Sequence, residues 1–282
     1  MEQLELLHTE LEAGGSWYPV NCSSRHRVAI VVPYRDRVDH LRILLEHLHP
    51  FLQKQLLDYK IFVVEQDSSA PFNRGMLMNI GFKEANSVDH PYDCFIFHDV
   101  DLLPEDDRNI YDCAEKPRHM SAAVDTLGYK LPYANLFGGV SAISRQQFEL
   151  VNGYSNKFFG WGGEDDDIFN RLKYNDLKIS RRPMNIARYK MLQHRKNPPA
   201  RNRMKYLNGG ISRYDRDGVN SLIYKLTALD RRKLFTLVSV VIDESTVIKV
   251  IIIMRCGLQR YDYTNFHRVF EPHHWSTGHR LI

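Results

Sequence analysis

Two groups of carboxylates have the composition and spacing of a working site. Asp99-Val100-Asp101 follows directly on the apolar run Cys94 to Phe97. If the chain stays extended there, side chains two apart point the same way, and both carboxylates face one side at a strand end. Hard oxygen ligands of this kind suit Mg²⁺ or Mn²⁺ holding a diphosphate, although a solvated strand end has the same pattern. Trp161-Gly162-Gly163-Glu164-Asp165-Asp166-Asp167 sets an aromatic ring, two glycines and four acids ahead of the apolar-periodic Ile168, Phe169 and Leu172. One or two acids in a first helical turn are favoured by the helix dipole and require no function. Four together repel. A general base that deprotonates a sugar hydroxyl, with neighbours orienting that acceptor, is a reason to keep them. Trp161 can stack on a sugar ring or fill a core.

Three further groups have a chemical reading and a plain structural one. Met191 and His194, three apart, reach one cation if their segment folds back over the site; a surface histidine is the simpler reading. Phe72-Asn73-Arg74 offers a ring for a nucleobase and a guanidinium for phosphate. Pro33-Tyr34-Arg35, with Arg37, offers the same at the end of the first strand.

The elements that must position these residues alternate. Arg27 to Val32 is a short apolar run ending at Pro33, as a buried strand opening into a loop would be. Val38, Leu41, Leu44, Leu45, Leu48, Phe51 and Leu52 recur at helical spacing. Ile61 to Val64 is a second strand, a helix comes next from about Asn73 to Ala85, and Cys94 to Phe97 is a third strand. Each strand stops at polar residues, Tyr34-Arg35-Asp36, Glu65-Gln66-Asp67 and His98-Asp99-Val100-Asp101. That is the α/β pattern, in which ligands bind beyond the carboxyl ends of parallel strands. The second half is less regular: Gly138-Gly139-Val140 leads into a strand and helix, a helix begins near Glu164, and Leu234 to Ile242 reads as a strand.

Composition narrows the class. The 282 residues suit one α/β domain with elaborations, and 43% hydrophobic with 26% charged residues disfavours disorder and membrane embedding. A formal charge of +4 without a long basic run gives little support to a nucleic-acid partner. Cys22, Cys94, Cys113 and Cys256 include no Cys-x-x-Cys pair and read as half-buried thiols or disulfide partners. Asn21-Cys22-Ser23 is a glycosylation sequon, meaningful only in the secretory pathway. Met1 to Glu12 is amphipathic and charged, neither signal peptide nor span, so the chain is cytosolic or lacks an anchor. Val247 to Met254 is too short to span a membrane, and the tail from Gly257 is rich in His, Tyr and Arg.

In their order, these segments resemble the β-1,4-galactosyltransferase family, family 7 of the glycosyltransferases. The match runs through Pro33 to Arg37, Phe72-Asn73-Arg74, Asp99 to Leu102, Phe137-Gly138-Gly139-Val140, Trp161 to Asp167, Phe169-Asn170-Arg171, Met191 to His194 and Asp217 to Leu222. It covers roughly Asn21 to Asp243. The resemblance implies a GT-A fold, an α/β domain with a Rossmann-like mixed sheet flanked by helices, and an inverting, Mn²⁺-dependent transfer from a UDP-sugar to the 4-hydroxyl of a terminal GlcNAc. It implies Asp101, Met191 and His194 as metal ligands. Pro33, Arg35, Arg37, Phe72, Arg74, Asp99, Val100 and Trp161 would line the UDP-sugar side, Trp161 contacting the acceptor as well. Asp165 would be the base, with Glu164 beside it, and Gly139, Gly163, Asp166 and Arg203 would place the acceptor. Cys94 and Cys113 would form the family's internal disulfide, and Cys22 a half-cystine whose partner lies upstream. By the same resemblance residues 1–24 are a stem remnant, 25–244 the catalytic domain with a lid at about 192–208, and 245–282 a divergent tail. A Golgi type II protein whose anchor lies outside this chain is expected.

Departures from the family bear on specificity. In galactose-transferring members a tyrosine stands where this chain has Leu136. A tyrosine hydroxyl crowds the donor's N-acetyl group, whereas a smaller apolar side chain leaves room, so UDP-GalNAc is the expected donor ahead of UDP-Gal, as in invertebrate members of the family. Thr126 replaces a lysine, and Met204 a phenylalanine of the acceptor pocket. A sugar-nucleotide or glycan-binding protein without turnover, and a metal-dependent phosphate-bond hydrolase, are the competing classes. The first has no need of a base beside a metal site, and the second lacks a second clustered metal site and a Gly-rich phosphate loop.

Overall fold

The computed structural model describes residues 1–87, 92–195 and 198–255. In chain order the elements are α1 (Glu2–Leu7), β1 (Ser16–Trp17), β2 (Arg27–Tyr34), α2 (Val38–Lys54), β3 (Asp58–Gln66), α3 (Arg74–Ala85), β4 (Cys94–His98), β5 (Leu102–Pro104), β6 (Arg118–His119), β7 (Ala123–Val124), β8 (Val140–Ser144), α4 (Arg145–Leu150), α5 (Glu164–Tyr174), β9 (Arg188–Met191), α6 (Arg203–Asn208), β10 (Lys225–Arg231), β11 (Thr236–Val241) and α7 (Glu244–Arg255). The main sheet has the order β10-β11-β3-β2-β4-β8-β6, with β1 added on β3. The four central strands β11, β3, β2 and β4 are parallel, and β10, β8 and β6 pair antiparallel. This is the single α/β domain with a mixed sheet that the sequence predicts.

Both faces of β2 are buried because successive side chains alternate. Val28, Ile30 and Val32 join the α2 leucines Leu41, Leu44, Leu45 and Leu48 in one core, and Ala29 and Val31 join Met76, Leu77 and Ile80 of α3 in the other. Each leucine of α2 that becomes fully buried contributes about 1.5–3 kcal/mol, so this stripe fixes the helix on the sheet. On the other face α3 lies close: a Cβ at Gly81 would stand 2.3 Å from Val31 Cγ1. Parallel strands joined through helices end at one edge. The loops after β2, β3 and β4, which carry Arg35 and Arg37, Phe72 and Arg74, and Asp99 and Asp101, therefore meet there.

Several features differ from the sequence expectation. Asp99-Val100-Asp101 is a turn, with Leu102 N donating to Asp99 O at 3.3 Å, and not a continued extended strand. The chain has to leave the sheet there because β5 belongs to a second sheet, β5-β9-β7. The two aspartates consequently meet different partners. That small sheet and β10 have no signal in the sequence; strands of two or three residues carry too few side chains for a period, and β10 is mostly exposed. The segment before Arg25 packs Leu4 and Leu11 into the first core and pairs Ser16–Trp17 with β3. The apolar run after Ser245 forms α7, with Val247 and Ile251 buried in the second core. Among the described residues no helix is long and apolar enough to cross a membrane. Cys256, the tail after it, and Lys196 and Asn197 of the expected lid lie outside the described residues.

Candidate active site

Arg74 opens α3 behind Asn73, whose side chain caps the helix by accepting from Met76 N at 2.9 Å. The cap fixes the start of the helix at the strand-end edge and aims the guanidinium across it. Arg74 Nε donates to Asp99 Oδ1 at 2.6 Å, and Nη1 to Asp165 Oδ1 at 2.6 Å. Glu164 Oε1 lies 3.6 Å from the same Nη1, and Nη2 reaches Gly139 O at 3.4 Å. One side chain thus joins the turn after β4 to the first turn of α5. The guanidinium expected to face phosphate bonds carboxylates of two elements.

Around this arginine the acids are desolvated. Glu164 is 6% exposed, and its Oε2 has no hydrogen-bond partner among the described residues. Burial, then Asp165, pushes its pKa to about 8, with Arg74 opposing. Asp99 is raised to about 6, first by desolvation, with Arg74 working against it and Asp101 and Asp165 reinforcing it. Asp165 is half-buried, and its Oδ2 faces Gly138, where a Cβ would come within 2.2 Å. Only glycine at 138 leaves that oxygen its place. Asp166 accepts from the Tyr133 hydroxyl at 3.1 Å.

Asp167 points the other way. It is buried and pairs with Arg171 at 2.7 Å and Arg213 at 3.5 Å, while Arg213 also pairs with buried Asp217 at 2.7 Å. Burial raises the Asp167 pKa, and the two arginines oppose that. The fourth acid therefore holds α5 onto the segment after the expected lid and does not line the open face. A buried aspartate with an arginine four residues on is a helical ion-pair spacing, which the sequence displays at Asp167 and Arg171.

On the other side of the turn, Asp101 Oδ2 stands 3.2 Å from His194 Nε2 and 3.4 Å from Arg37 Nη1. β9 pairs antiparallel with β5, opposing Met191 to Leu102, and Leu192 N donates to Asp101 O at 2.8 Å. This backbone contact folds the segment back, as the Met191 and His194 pairing requires. Met191 sulfur accepts from Thr126 Oγ1 at 3.5 Å. Among the described residues no three His, Cys, Asp or Glu side chains cluster with ligand geometry. A cation here would rest on Asp101, His194 and the Met191 thioether. A carboxylate and an imidazole in contact, with a thioether on the adjoining strand, fit that use, although the thioether is softer than Mn²⁺ usually takes.

Beneath the turn a buried chain of polar groups fixes β4 to β9. His98 Nε2 meets Tyr111 Oη at 2.9 Å, and Tyr111 Oη meets Tyr189 Oη at 3.0 Å. Burial lowers the His98 pKa to about 4, so the ring is neutral and suited to this network. Nothing in the sequence signals these partners, because His98, Tyr111 and Tyr189 are far apart along the chain.

The remaining predicted residues line the same edge. Pro33 is buried near the end of β2, and Val100 is buried in the turn. Arg35 donates to Ser68 O and Ala70 O and lies over the Phe72 ring at 5.3 Å. Trp161 is 55% exposed, bridges to Pro199 of the expected lid, and has the Arg203 guanidinium 5.5 Å over its ring. Gly163 starts α5 at φ 102°, with Phe158 where a side chain would go. Leu136 is half-buried two residues before Gly138. Cys94 and Cys113 form a disulfide, and Cys22 is free and exposed.

The mixed sheet and strand-edge site define a fold of the GT-A type. The chain matches the N-terminal region of glycosyl transferase group 7 over residues 1–114 and the N-terminal domain of galactosyltransferase over 118–195. Mouse β-1,4-galactosyltransferase 1 is 46% identical over 85% of this chain and 61% of its own length, and mouse β-1,4-galactosyltransferase 2 is 42% identical over 86% and 67%. The catalytic domain of Drosophila β-1,4-galactosyltransferase 7, solved with xylobiose, aligns with a TM-score of 0.66 at 30% identity, covering 77% of this chain and 94% of that one. A mutant of that protein, solved with manganese, UDP-Gal and xylobiose, aligns with the same TM-score at 28% identity. This chain belongs to glycosyltransferase group 7 and is β-1,4-galactosyltransferase-like. It spans less than two thirds of the mouse β-1,4-galactosyltransferase 1 sequence. These relatives are galactosyltransferases, and none points to the invertebrate GalNAc-transferring type.

Glu164 yields a pH prediction. Its pKa in the fold lies above its ordinary 4.5, so the protonated form is favoured by folding and the associated stability is complete below about pH 4.5 and lost as the pH rises toward 8. In urea unfolding of the ligand-free protein at stepped pH, wild type should lose on the order of 5 kcal/mol relative to Glu164→Gln across that window. A flat difference would mean that the carboxyl is not held protonated.

Proposed function

We propose that this protein is an inverting glycosyltransferase that moves a hexose from a UDP-sugar to the 4-hydroxyl of a terminal β-GlcNAc on a glycan. The observation that carries the reading is the double contact of Arg74. Its guanidinium bonds Asp165 on the helix and Asp99 on the turn that leads to Asp101, so an acceptor-side carboxylate and the Asp101-His194 pair are held in one frame. A binding protein without turnover gains nothing from this arrangement.

In this reading Asp165 takes the proton of the acceptor hydroxyl, whose oxygen forms the new bond to the anomeric carbon as the bond to UDP breaks, with inversion. Arg74 orients Asp165 through Oδ1, which leaves Oδ2 on the Gly138 side for the proton. Glu164 and Asp166, with Gly139, Gly163 and Arg203, position the acceptor sugar, and Trp161 stacks on it. Arg35, Arg37, Phe72, Pro33 and Val100 line the nucleotide side, and Asp99 keeps Arg74 in place there. Asp101, Met191 and His194 would hold Mn²⁺, which when bound neutralises charge on the departing diphosphate. The disulfide Cys94–Cys113 supports an oxidising, lumenal compartment, and the Golgi is the one proposed.

The donor has two readings. The relatives' names favour galactose. Leu136 favours GalNAc, because this half-buried apolar side chain stands where a galactose-transferring relative places tyrosine. With purified protein, Mn²⁺ and a GlcNAc acceptor, UDP release should appear with at least one of UDP-Gal and UDP-GalNAc, and Asp165→Asn should reduce it by about 10²–10⁴-fold. Release equal to background with both donors would favour a pure binder, and a fully active Asp165→Asn would remove the base assignment. Leu136→Tyr should move the donor preference toward UDP-Gal by about 10-fold or more. An unmoved ratio, or wild type preferring UDP-Gal, would end the GalNAc reading.

A further inference from the structure

Resting on the glycosyltransferase reading, we propose that Arg181 is a positioning residue for donor choice, acting through the backbone of the Tyr133–Gly138 segment. Arg181 Nη2 donates to Ala134 O at 2.8 Å and to Leu136 O at 2.7 Å. These carbonyls flank Asn135 in the segment that carries Leu136. The segment touches α5 at both ends: the Tyr133 hydroxyl bonds Asp166 at 3.1 Å, and Gly138 sits against Asp165 Oδ2. Between these contacts the segment closes its own turn through Leu136 N donating to Tyr133 O at 3.2 Å, Ser121 Oγ donates to Gly138 O at 3.2 Å, and the guanidinium grips the carbonyls of residues 134 and 136 from outside.

Arg181 is itself fixed. Its Nε donates to His119 Nδ1 at 3.0 Å, and the preceding Ser180 exchanges backbone hydrogen bonds with this strand, its O accepting from His119 N at 3.0 Å and its N donating to Pro117 O at 2.8 Å. Arginine only donates, so His119 Nδ1 is the unprotonated nitrogen. Burial first, then the Arg181 charge, lowers the His119 pKa to about 3, with the Gly138 backbone opposing, and the ring stays an acceptor over the working range. The path from core to specificity segment is thus β6, His119, Arg181, two carbonyls, Leu136. A shift of a fraction of an ångström at Leu136 changes the room beside a donor's C2 substituent, whereas Asp165 and Asp101 are held by other partners.

The test compares UDP-Gal and UDP-GalNAc with wild type, Arg181→Met and Arg181→Lys, alongside hydrogen exchange of the 133–138 peptide. In Arg181→Met the ratio of kcat/KM for the two donors should move toward one by about fivefold, with faster exchange at 133–138, and Arg181→Lys should restore part of both. Equal losses with both donors and an unchanged ratio would show a structural role only and overturn the proposal, as would unchanged exchange. If wild type turns over neither donor, the glycosyltransferase reading fails and this proposal with it; an unmoved ratio in an active enzyme sinks this proposal alone.

An independent observation concerns Asn21. Asn21-Cys22-Ser23 is the sole Asn-x-Ser/Thr sequence in the chain, and all three residues are exposed in the irregular stretch before β2. β2 runs from Arg27 toward Arg35, so Asn21 lies at the opposite end of a strand roughly 26 Å long from the site. A large hydrophilic modification there leaves the mouth of the site open. We infer that Asn21 carries an N-linked glycan in a secretory lumen, the compartment in which the Cys94–Cys113 disulfide forms. In protein secreted from a glycosylating eukaryotic host, peptide-N-glycosidase should shift the band of wild type and leave Asn21→Gln and Ser23→Ala unshifted. No shift in wild type, or a shift that persists in both variants, would overturn the inference.

Discussion

The guanidinium of Arg74 stands between three carboxylates that arrive on two different elements, and their mutual repulsion makes it indispensable. Asp99 comes from the turn after β4, and Glu164 and Asp165 from the first turn of α5. Without a cation between them, burying Glu164 and half-burying Asp165 at this edge costs several kcal/mol in desolvation and repulsion. With it, two of the three accept charge-assisted hydrogen bonds at 2.6 Å, and the third, Glu164, relieves the remaining excess by holding a proton. This interaction ties the first turn of α5 to the sheet edge, while Ile168 and Leu172 seat the helix in the second core and Asn73 secures Arg74 from behind by capping α3.

The four acids of the α5 start divide by helical geometry. At about 100° per residue, four consecutive side chains point around the whole circumference. Glu164 and Asp165 turn to Arg74, Asp166 to Tyr133, and Asp167 inward to Arg171 and Arg213. The inward pair anchors the stretch of chain beyond the expected lid. Arg213 and Asp217 lie just past Gly209-Gly210, and a Cβ at Gly210 would come within 2.1 Å of Asp167 Oδ1. The segment after α6 is therefore clamped on α5, while Trp161 and Pro199 bridge at the other end. Whatever motion the segment between them has, its two ends are tied to α5 and to the loop before it.

Much of this was legible in the sequence where the signal is local. The three parallel strands and two helices of the first half are written in apolar runs and periodicity, and their polar ends mark the site edge. That Met191 and His194 belong with Asp101 is implied only by the resemblance, since the approach of His194 to Asp101 depends on β9 pairing β5, strands too short to show a pattern. The extended reading of Asp99-Val100-Asp101 failed for the same reason: nothing local says that the chain leaves one sheet for another there. Arg74 read as a phosphate ligand because its type and helix-start position suit that role. Its engagement by three acids is a long-range fact, as are the His98-Tyr111-Tyr189 chain and the anchoring of Arg181 on His119.

Chemistry and selectivity consequently rest on different supports. Asp99, Glu164 and Asp165 are placed by side-chain contacts that converge on the buried guanidinium of Arg74. Leu136 has no such partner. Its position is inherited from its backbone, which Arg181 grips by carbonyl oxygens that any residue would supply. On the proposed reading, substituting position 136 changes the side chain beside the donor while leaving the grip, the ion pairs and the sheet edge intact. Were the proposed roles to hold, a fold built this way would exchange one hexose for another without rebuilding the site that transfers it.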